Sequence, residues 1–168
     1  MFDEEISVYA DELVKAFSRQ GKTVTTAESC TGGMIGAALT SVAGSSDVYK
    51  SGLITYSNEA KITYLNVEPD TLSEHGAVSS QTAAQMAIGA LEAAKADAAV
   101  AVTGIAGPGG GSEEKPVGLV FISVASADEE GAYVERLEFG DIGRQQVRLE
   151  TTRQALEMLL AYGLETDA

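Results

Sequence analysis

The sequence contains little histidine and cysteine, the side chains that bind zinc or, for cysteine, cross-link chains. Among its 168 residues there is one histidine, His75, one cysteine, Cys30, and no tryptophan. A single cysteine excludes an intrachain disulfide, which fits a reducing compartment. One histidine and one cysteine also disfavour a tetrahedral zinc site. We therefore expect no metal and no cofactor.

Basic residues are also scarce. Eleven Lys and Arg stand against 25 Asp and Glu, which gives a net charge of −14. Contacts to nucleic acid phosphates need a surplus of cations, and so does an anionic membrane surface. A small anionic ligand stays open, since two or three local cations suffice to bind it. We expect neither nucleic acid nor membrane as a partner.

No apolar run approaches the roughly 20 residues that span a bilayer. The N-terminal residues are acidic, without the basic region and apolar run of a signal peptide. These absences predict a cytoplasmic protein.

Composition and periodicity indicate one α/β domain over residues 1–168. With 45% hydrophobic and 21% charged residues, the chain is suited to a packed core. Helical and strand-like segments alternate along most of it, and a hairpin comes late. Helices are predicted at 6–17, 31–42, after Ser57, after Pro69, from Ser79 or Ser80 to 96, and at 144–162. Strands are predicted at 24–27, 52–56, 98–102, 117–125 and 133–139. The pattern predicts a three-layer α/β/α sandwich with a mixed, mostly parallel sheet of about five strands and a late antiparallel hairpin.

Three polar or glycine-rich segments each follow a predicted strand. They cover residues 28–33, 56–61 and 103–111. If the three strands are parallel neighbours, these segments meet at one edge of the sheet, where ligands bind in such folds.

The first segment places Ser29, Cys30 and Thr31 directly before Gly32 and Gly33. Free N–H groups at a helix start suit an oxyanion or phosphate. Alternatively, the two hydroxyls only cap the helix. The thiol is either a nucleophile or a packed side chain.

The second segment supplies Lys61, one turn into a short helix. This lysine is either a solvated surface charge or a general base whose pKa is lowered by its surroundings. A Ser–Lys pair can carry out acyl transfer without histidine. That matters here because His75 sits near a helix end, where we interpret it as a cap.

The third segment, residues 103–111, is rich in glycine but lacks the Gly-Lys-Ser/Thr ending of a Walker motif. Its backbone either wraps a phosphate or ribose, or is a flexible connection. Candidate cations for an anionic ligand are Lys115, Arg144 and Arg148. Arg153 is interpreted as a solvated helix charge.

Taken together, these motifs resemble the CinA C-terminal domain family. Residues 26–33 read Thr-Ala-Glu-Ser-Cys-Thr-Gly-Gly, and residues 52–61 read Gly-Leu-Ile-Thr-Tyr-Ser-Asn-Glu-Ala-Lys. Further matches are residues 76–79, 101–110 and 144–148. The motifs occur in family order and cover roughly residues 5 to 162.

The resemblance implies hydrolysis of the carboxamide of nicotinamide mononucleotide to the acid, with release of ammonia. It implies Ser29 as the nucleophile and Lys61 as its base, supported by Tyr56, Thr103 and Arg144. A homodimer or higher oligomer and an α/β/α fold are also implied. The full set of expected substrate-binding residues is Cys30, Thr31, Gly32, Gly33, Gly104, Gly107 and Arg144.

One departure from the family pattern precedes the last helix. The family usually has Gly-Asp-Arg there, whereas Ile142 and Gly143 separate Asp141 from Arg144 in this chain. Either Arg144 keeps its family role after the insertion, or its guanidinium is displaced. The alternative function is a non-catalytic pyridine-nucleotide-binding or competence-related regulatory protein.

Overall fold

The computed structural model describes residues 2–165; residue 1 and residues 166–168 of the expected domain lie outside this range. The elements are α1 (Glu4–Gln20), β1 (Val24–Glu28), α2 (Met34–Thr40), a 3-10 turn (Ser45–Asp47), β2 (Tyr49–Ile54), α3 (Asn58–Leu65), α4 (Pro69–His75), α5 (Ser80–Ala94), β3 (Ala98–Gly104), β4 (Leu119–Ser126), β5 (Tyr133–Glu138) and α6 (Arg144–Glu165).

The five strands form one mixed sheet in the order β2-β1-β3-β4-β5. Strand β1 pairs in parallel with β2 and β3, whereas β4 pairs antiparallel with β3 and with β5. The predicted sheet and its late hairpin are therefore confirmed. The carboxyl ends of β1, β2 and β3 lie at the same edge, as expected from the sequence.

Helices cover both faces of the sheet and complete the three predicted layers. One hydrophobic cluster joins α1, α2 and α6 to one face, with Phe17, Ile35 and Leu156 fully buried. The other joins α3, α4 and α5 to the opposite face, around Leu65 and Met86. Strand β3 is buried on both faces over its first six residues, which fits its unbroken apolar sequence.

Helix starts follow the expected capping chemistry. The side chain of Ser57 accepts a hydrogen bond from the N–H of Ala60, and Ser79 accepts one from Thr82. Pro69 occupies the first turn of α4, where its missing N–H costs nothing. These residues fix where α3, α4 and α5 begin.

Two elements differ from their predicted bounds. Helix α2 begins at Met34 instead of residue 31, because Gly32 and Gly33 have φ of 59° and 102° and cannot continue a right-handed helix. Strand β2 begins three residues earlier than predicted, at Tyr49, and ends at Ile54. The later start of α2 and the end of β2 at Ile54, instead of residue 56, lengthen the chain between strand and helix at the edge where the three polar segments meet.

Within residues 2–165, no helix combines the length and the apolar character that a membrane crossing requires.

Candidate active site

A cleft of about 270 Å³ opens at the edge of the sheet where β1 and β3 end. The residues that line it come from all three polar segments and from the turn before α5: Ser29, Cys30, Tyr56, Lys61, Ala77, Val78, Thr103, Gly104, Ile105, Ala106, Gly107, Gly109, Gly110 and Arg144. This lining contains two cations, Lys61 and Arg144, and no carboxylate. An acidic protein thus presents a locally positive cleft.

Ser29 and Lys61 lie in direct contact inside this cleft. The Lys61 Nζ donates to Ser29 Oγ at 2.9 Å and to the Thr55 carbonyl at 2.7 Å. Lys61 is only 1% exposed and Ser29 8% exposed. Ser29 directly follows β1, and its N–H donates to the Val102 carbonyl of β3 at 3.1 Å. Ser29 is therefore fixed by β1 and β3, and Lys61 reaches it from α3, across the chain that follows β2.

The ammonium of Lys61 has no acidic partner among the described residues. Burial disfavours the charged form and lowers the pKa of Lys61 from 10.5 to about 8. The interpretation of Lys61 as a solvated surface charge is therefore wrong. A buried amine with this pKa can give up its proton near neutral pH and then accept one from Ser29.

Arg144 reaches the cleft despite the two-residue insertion before it. As the first residue of α6, it donates through one guanidinium nitrogen to the Gly107 carbonyl at 2.8 Å and through the other to the Tyr56 hydroxyl at 2.9 Å. The guanidinium therefore reaches the cleft and joins two of the three polar segments.

Thr103, Gly104 and Gly107 lie where the motif predicts, along the cleft. Thr103 is 1% exposed, and its hydroxyl donates to the Ala77 carbonyl at 2.8 Å, so it holds the turn before α5. A Cβ on Gly104 would come within 2.6 Å of Val120 and 2.9 Å of the Leu119 carbonyl, so this position needs glycine for close packing.

Cys30 lines the cleft but is 6% exposed. Burial raises the pKa of its thiol to about 12, so the thiolate that a nucleophile requires is nearly absent at neutral pH. The packed interpretation of this side chain fits, and the nucleophile interpretation does not.

Thr31, Gly32 and Gly33 are absent from the cleft lining, within the described part of the chain. The helix start that was expected to hold an oxyanion is instead occupied by a carboxylate of the protein itself. Glu28, 1% exposed, accepts from the Thr31 hydroxyl at 2.6 Å and from the N–H groups of Gly33, Ile35 and Gly36 at 3.0, 3.1 and 2.8 Å. These N–H groups are therefore not free for a ligand.

Sequence reasoning missed this role of Glu28. The available signal was an acidic residue at the end of an otherwise uncharged, buried strand, directly before a turn with two glycines. Such a carboxylate needs several donors, and a nearby helix start provides them.

Two other candidate cations have partners outside the cleft. Arg148 donates to the carbonyls of Cys30 and Thr31, each at 3.0 Å, and Lys115 donates to the carbonyl of His75. Arg153 forms ion pairs with Glu150 and Glu157, so it is a paired helix charge rather than a solvated one. Arg144 remains as the arginine that faces the cleft.

No group of three or more metal-ligating side chains occurs within residues 2–165. A larger cavity of about 740 Å³ lies at the far end of the sheet, between the β4–β5 hairpin and the end of α6. Among the described residues, four glutamates and no residue of the predicted site line it. The chemistry-bearing residues therefore gather in the smaller cleft.

Comparison with known proteins agrees with these motifs. Residues 7–162 match the family model described as the CinA C-terminal domain. The nicotinamide-nucleotide amidohydrolase PncC of Escherichia coli is 48% identical over 159 residues, which cover 95% of both chains. A CinA-like protein of Geobacter is 49% identical over 96% of this chain, but the match covers only 38% of that longer protein. The crystal structure of the competence/damage inducible protein CihA from Agrobacterium tumefaciens superposes with a TM-score of 0.94 at 52% identity, covering 96% of this chain and 97% of that one.

Proposed function

Because the chain belongs to the CinA C-terminal domain family, we propose that it hydrolyses the carboxamide of nicotinamide mononucleotide to nicotinate mononucleotide and ammonia. The relative from Escherichia coli that matches over 95% of its length carries the name of this activity. The observation that carries the proposal is the buried Ser29–Lys61 contact of 2.9 Å in a cleft that also contains Arg144.

Lys61 supplies the base that an amide hydrolase needs. In its neutral form, the Nζ lone pair takes the proton of Ser29 Oγ while the oxygen attacks the carboxamide carbon. The resulting tetrahedral intermediate collapses when the Lys61 ammonium returns the proton to the nitrogen of the leaving group. Ammonia departs, and a water molecule, deprotonated by the same amine, hydrolyses the acyl-enzyme to the acid and free Ser29.

The oxyanion of the intermediate needs N–H donors close to Ser29. Among the described residues the N–H of Cys30 contacts only the sulfur of its own side chain, and Cys30 lines the cleft directly after the nucleophile. The residue after the nucleophile provides such a donor in many serine hydrolases. We assign this N–H to the oxyanion, together with N–H groups of the loop after Thr103.

Binding of the nucleotide divides between an apolar and a cationic part of the cleft. Ala77, Val78 and Ile105 offer an apolar wall for the pyridine ring, and Arg144 offers two donors for the phosphate. Tyr56 and Gly107 hold the guanidinium of Arg144 in place.

The deciding experiment measures ammonia and nicotinate mononucleotide after incubation with nicotinamide mononucleotide, using free nicotinamide and NAD as control substrates. We expect release from the mononucleotide only, and loss of release in Ser29→Ala. Ser46→Ala, an exposed serine far from the cleft, is the matched control and should retain full activity.

Three results would contradict the proposal. Binding of the mononucleotide without ammonia release would favour the alternative of a non-catalytic pyridine-nucleotide-binding or regulatory protein. Hydrolysis of free nicotinamide but not of the nucleotide would contradict the proposed substrate. Full activity of Ser29→Ala would contradict the assignment of Ser29 as the nucleophile.

The proposal includes a cytoplasmic enzyme that forms a homodimer or higher homo-oligomer. The molar mass of the purified protein in solution tests the oligomer directly, and a monomeric mass would exclude it.

A further inference from the structure

The chain that follows the nucleophile is held from outside the cleft by one arginine of the last helix. We propose that Arg148 is a positioning residue for the reaction, which fixes and polarises the N–H of Cys30 through two intervening peptide groups. This inference rests on the proposed function, since it concerns the donor assigned there to the oxyanion. It gives Arg148 a role different from the anion-binding one expected from the sequence.

Arg148 is committed to the backbone of the nucleophile loop, which we define as residues 29–33. Its Nε donates to the Cys30 carbonyl and its Nη2 to the Thr31 carbonyl, both at 3.0 Å. A planar guanidinium with two donors on neighbouring carbonyls fixes orientation as well as distance. Arg148 is not among the residues that line the cleft, within the described part of the chain.

Planar peptides carry the effect of Arg148 toward Ser29. In a trans peptide the C=O and the following N–H point in opposite directions. Because Arg148 holds the Thr31 carbonyl, the N–H of Gly32 points away from the guanidinium, and it donates to the Ser29 carbonyl at 3.1 Å.

The same geometry applies once more at the next peptide. Because Gly32 holds the Ser29 carbonyl, the N–H of Cys30 is directed away from the turn. A continuous series therefore runs from the guanidinium through the Thr31–Gly32 peptide and the Ser29–Cys30 peptide to the N–H of Cys30. Hydrogen bonds in series polarise one another, so the positive end strengthens the last donor.

Gly32 ends the turn that carries this series. Its φ of 59° belongs to the left-handed region and directs the chain from the turn toward α2. A Cβ at this position would lie 3.5 Å from Arg148 Nη2, so the guanidinium packs directly against the turn.

The first test separates positioning from substrate binding by steady-state kinetics. In Arg148→Met we expect kcat to fall by about 10- to 100-fold, because one oxyanion donor is typically worth more than that when it is removed outright. KM should stay within about twofold, because a donor that strengthens in the transition state contributes little to ground-state binding. Arg148→Lys, which keeps the charge but not the planar pair of donors, should recover part of kcat.

Arg153→Met is the matched control on the same helix. Arg153 pairs with glutamates and makes no hydrogen bond to the nucleophile loop among the described residues. The kcat of Arg153→Met should stay near that of the wild type. The dissociation constant of nicotinate mononucleotide in the Ser29→Ala background completes the set and should be unchanged by Arg148→Met.

Several outcomes would overturn the inference. In Arg148→Met, a raised KM and a raised dissociation constant for nicotinate mononucleotide with unchanged kcat would indicate that Arg148 binds the anion instead. Equal loss of kcat in Arg148→Met and Arg153→Met would show that Arg148 acts only by stabilising the helix.

A second measurement does not depend on the proposed function. In the ¹⁵N-labelled protein, the amide signals of Gly32 and Cys30 should shift in Arg148→Met and stay in place in Arg153→Met. Unshifted signals would overturn the series of hydrogen bonds even in an active enzyme. Shifted signals in a protein that releases no ammonia would keep the series and contradict only the proposed function.

Discussion

The end of β1 and the first turns of α3 each bury a charged side chain, and the surroundings of the two charges differ. Glu28 accepts four hydrogen bonds, three of them from backbone N–H groups at the start of α2. Lys61 has no carboxylate partner among the described residues and donates to Ser29 and to the carbonyls of Thr55 and Tyr56. Both are 1% exposed. Burial alone therefore does not mark a reactive group: the N–H groups of a helix start suit the carboxylate of Glu28, which holds structure, whereas burial lowers the pKa of Lys61 toward the range in which an amine acts as a base.

The largest expected effect is the loss of activity in Lys61→Met. Without the amine, Ser29 has no base, and we expect kcat to fall by at least about 10³-fold. Lys50→Met, an exposed lysine on β2, is the matched control and should keep its activity. Ammonia release measures both variants, and near wild-type turnover in Lys61→Met would exclude Lys61 as the base.

The same variant tests the thermodynamic side of the comparison. The pKa of Lys61 is about 8 in the folded protein against 10.5 for a free lysine. Between these values the unfolded chain binds more protons, so the contribution of Lys61 to the free energy of unfolding rises with pH in this window. Below about pH 8 the buried ammonium opposes folding, and urea unfolding should show a weaker rise from pH 8 to pH 10 in Lys61→Met than in the wild type. An identical rise in both proteins would contradict the shifted pKa.

The next largest effect concerns Glu28 and the free energy of unfolding. Glu28→Gln keeps the shape of the side chain, but its single amide oxygen cannot accept all four hydrogen bonds, and its NH₂ meets N–H groups. We expect the free energy of unfolding to fall by about 2–4 kcal/mol, since buried donors lose their partners. Glu59→Gln in the exposed first turn of α3 is the control. Unchanged urea unfolding of Glu28→Gln would show that the carboxylate does not hold this loop.

A smaller effect is the pH dependence of the wild-type enzyme. If free Lys61 must be neutral, kcat/KM should rise roughly fivefold from pH 7 to pH 8, less than twofold from pH 8 to pH 9, and then level off. Measurements above pH 7 avoid the titration of the substrate phosphate near pH 6. A flat profile between pH 7 and pH 9 would contradict the assignment of the base.

The sequence predicted the site through local patterns and missed what distant residues do to it. Ser29 and Lys61 follow neighbouring strands, so parallel pairing was enough to bring them together. Glu28 gains its donors from residues up to eight positions ahead, which requires the shape of the glycine turn. Arg148 reaches the nucleophile loop from 118 residues away along the chain, and no periodicity encodes that contact. Its guanidinium meets the backbone carbonyls of that loop because α6 packs against α2.

The smallest expected effect is at Cys30, which adjoins the nucleophile and yet resembles Glu28 more than Lys61 in its role. Burial raises the pKa of the thiol to about 12, so at pH 8 only about one molecule in 10⁴ carries the reactive thiolate. Because Cys30 is the only cysteine, alkylation reports on this position alone. Iodoacetamide should leave the folded protein unmodified at pH 8 and should label it in urea.

Cys30→Ala should change kcat/KM by less than about threefold, since the backbone N–H assigned to the oxyanion stays in place while only the side chain is lost. Rapid labelling of the folded enzyme with loss of ammonia release would contradict the packed role of Cys30. It would show a reactive thiol beside Ser29, so that Cys30 would resemble Lys61 rather than Glu28.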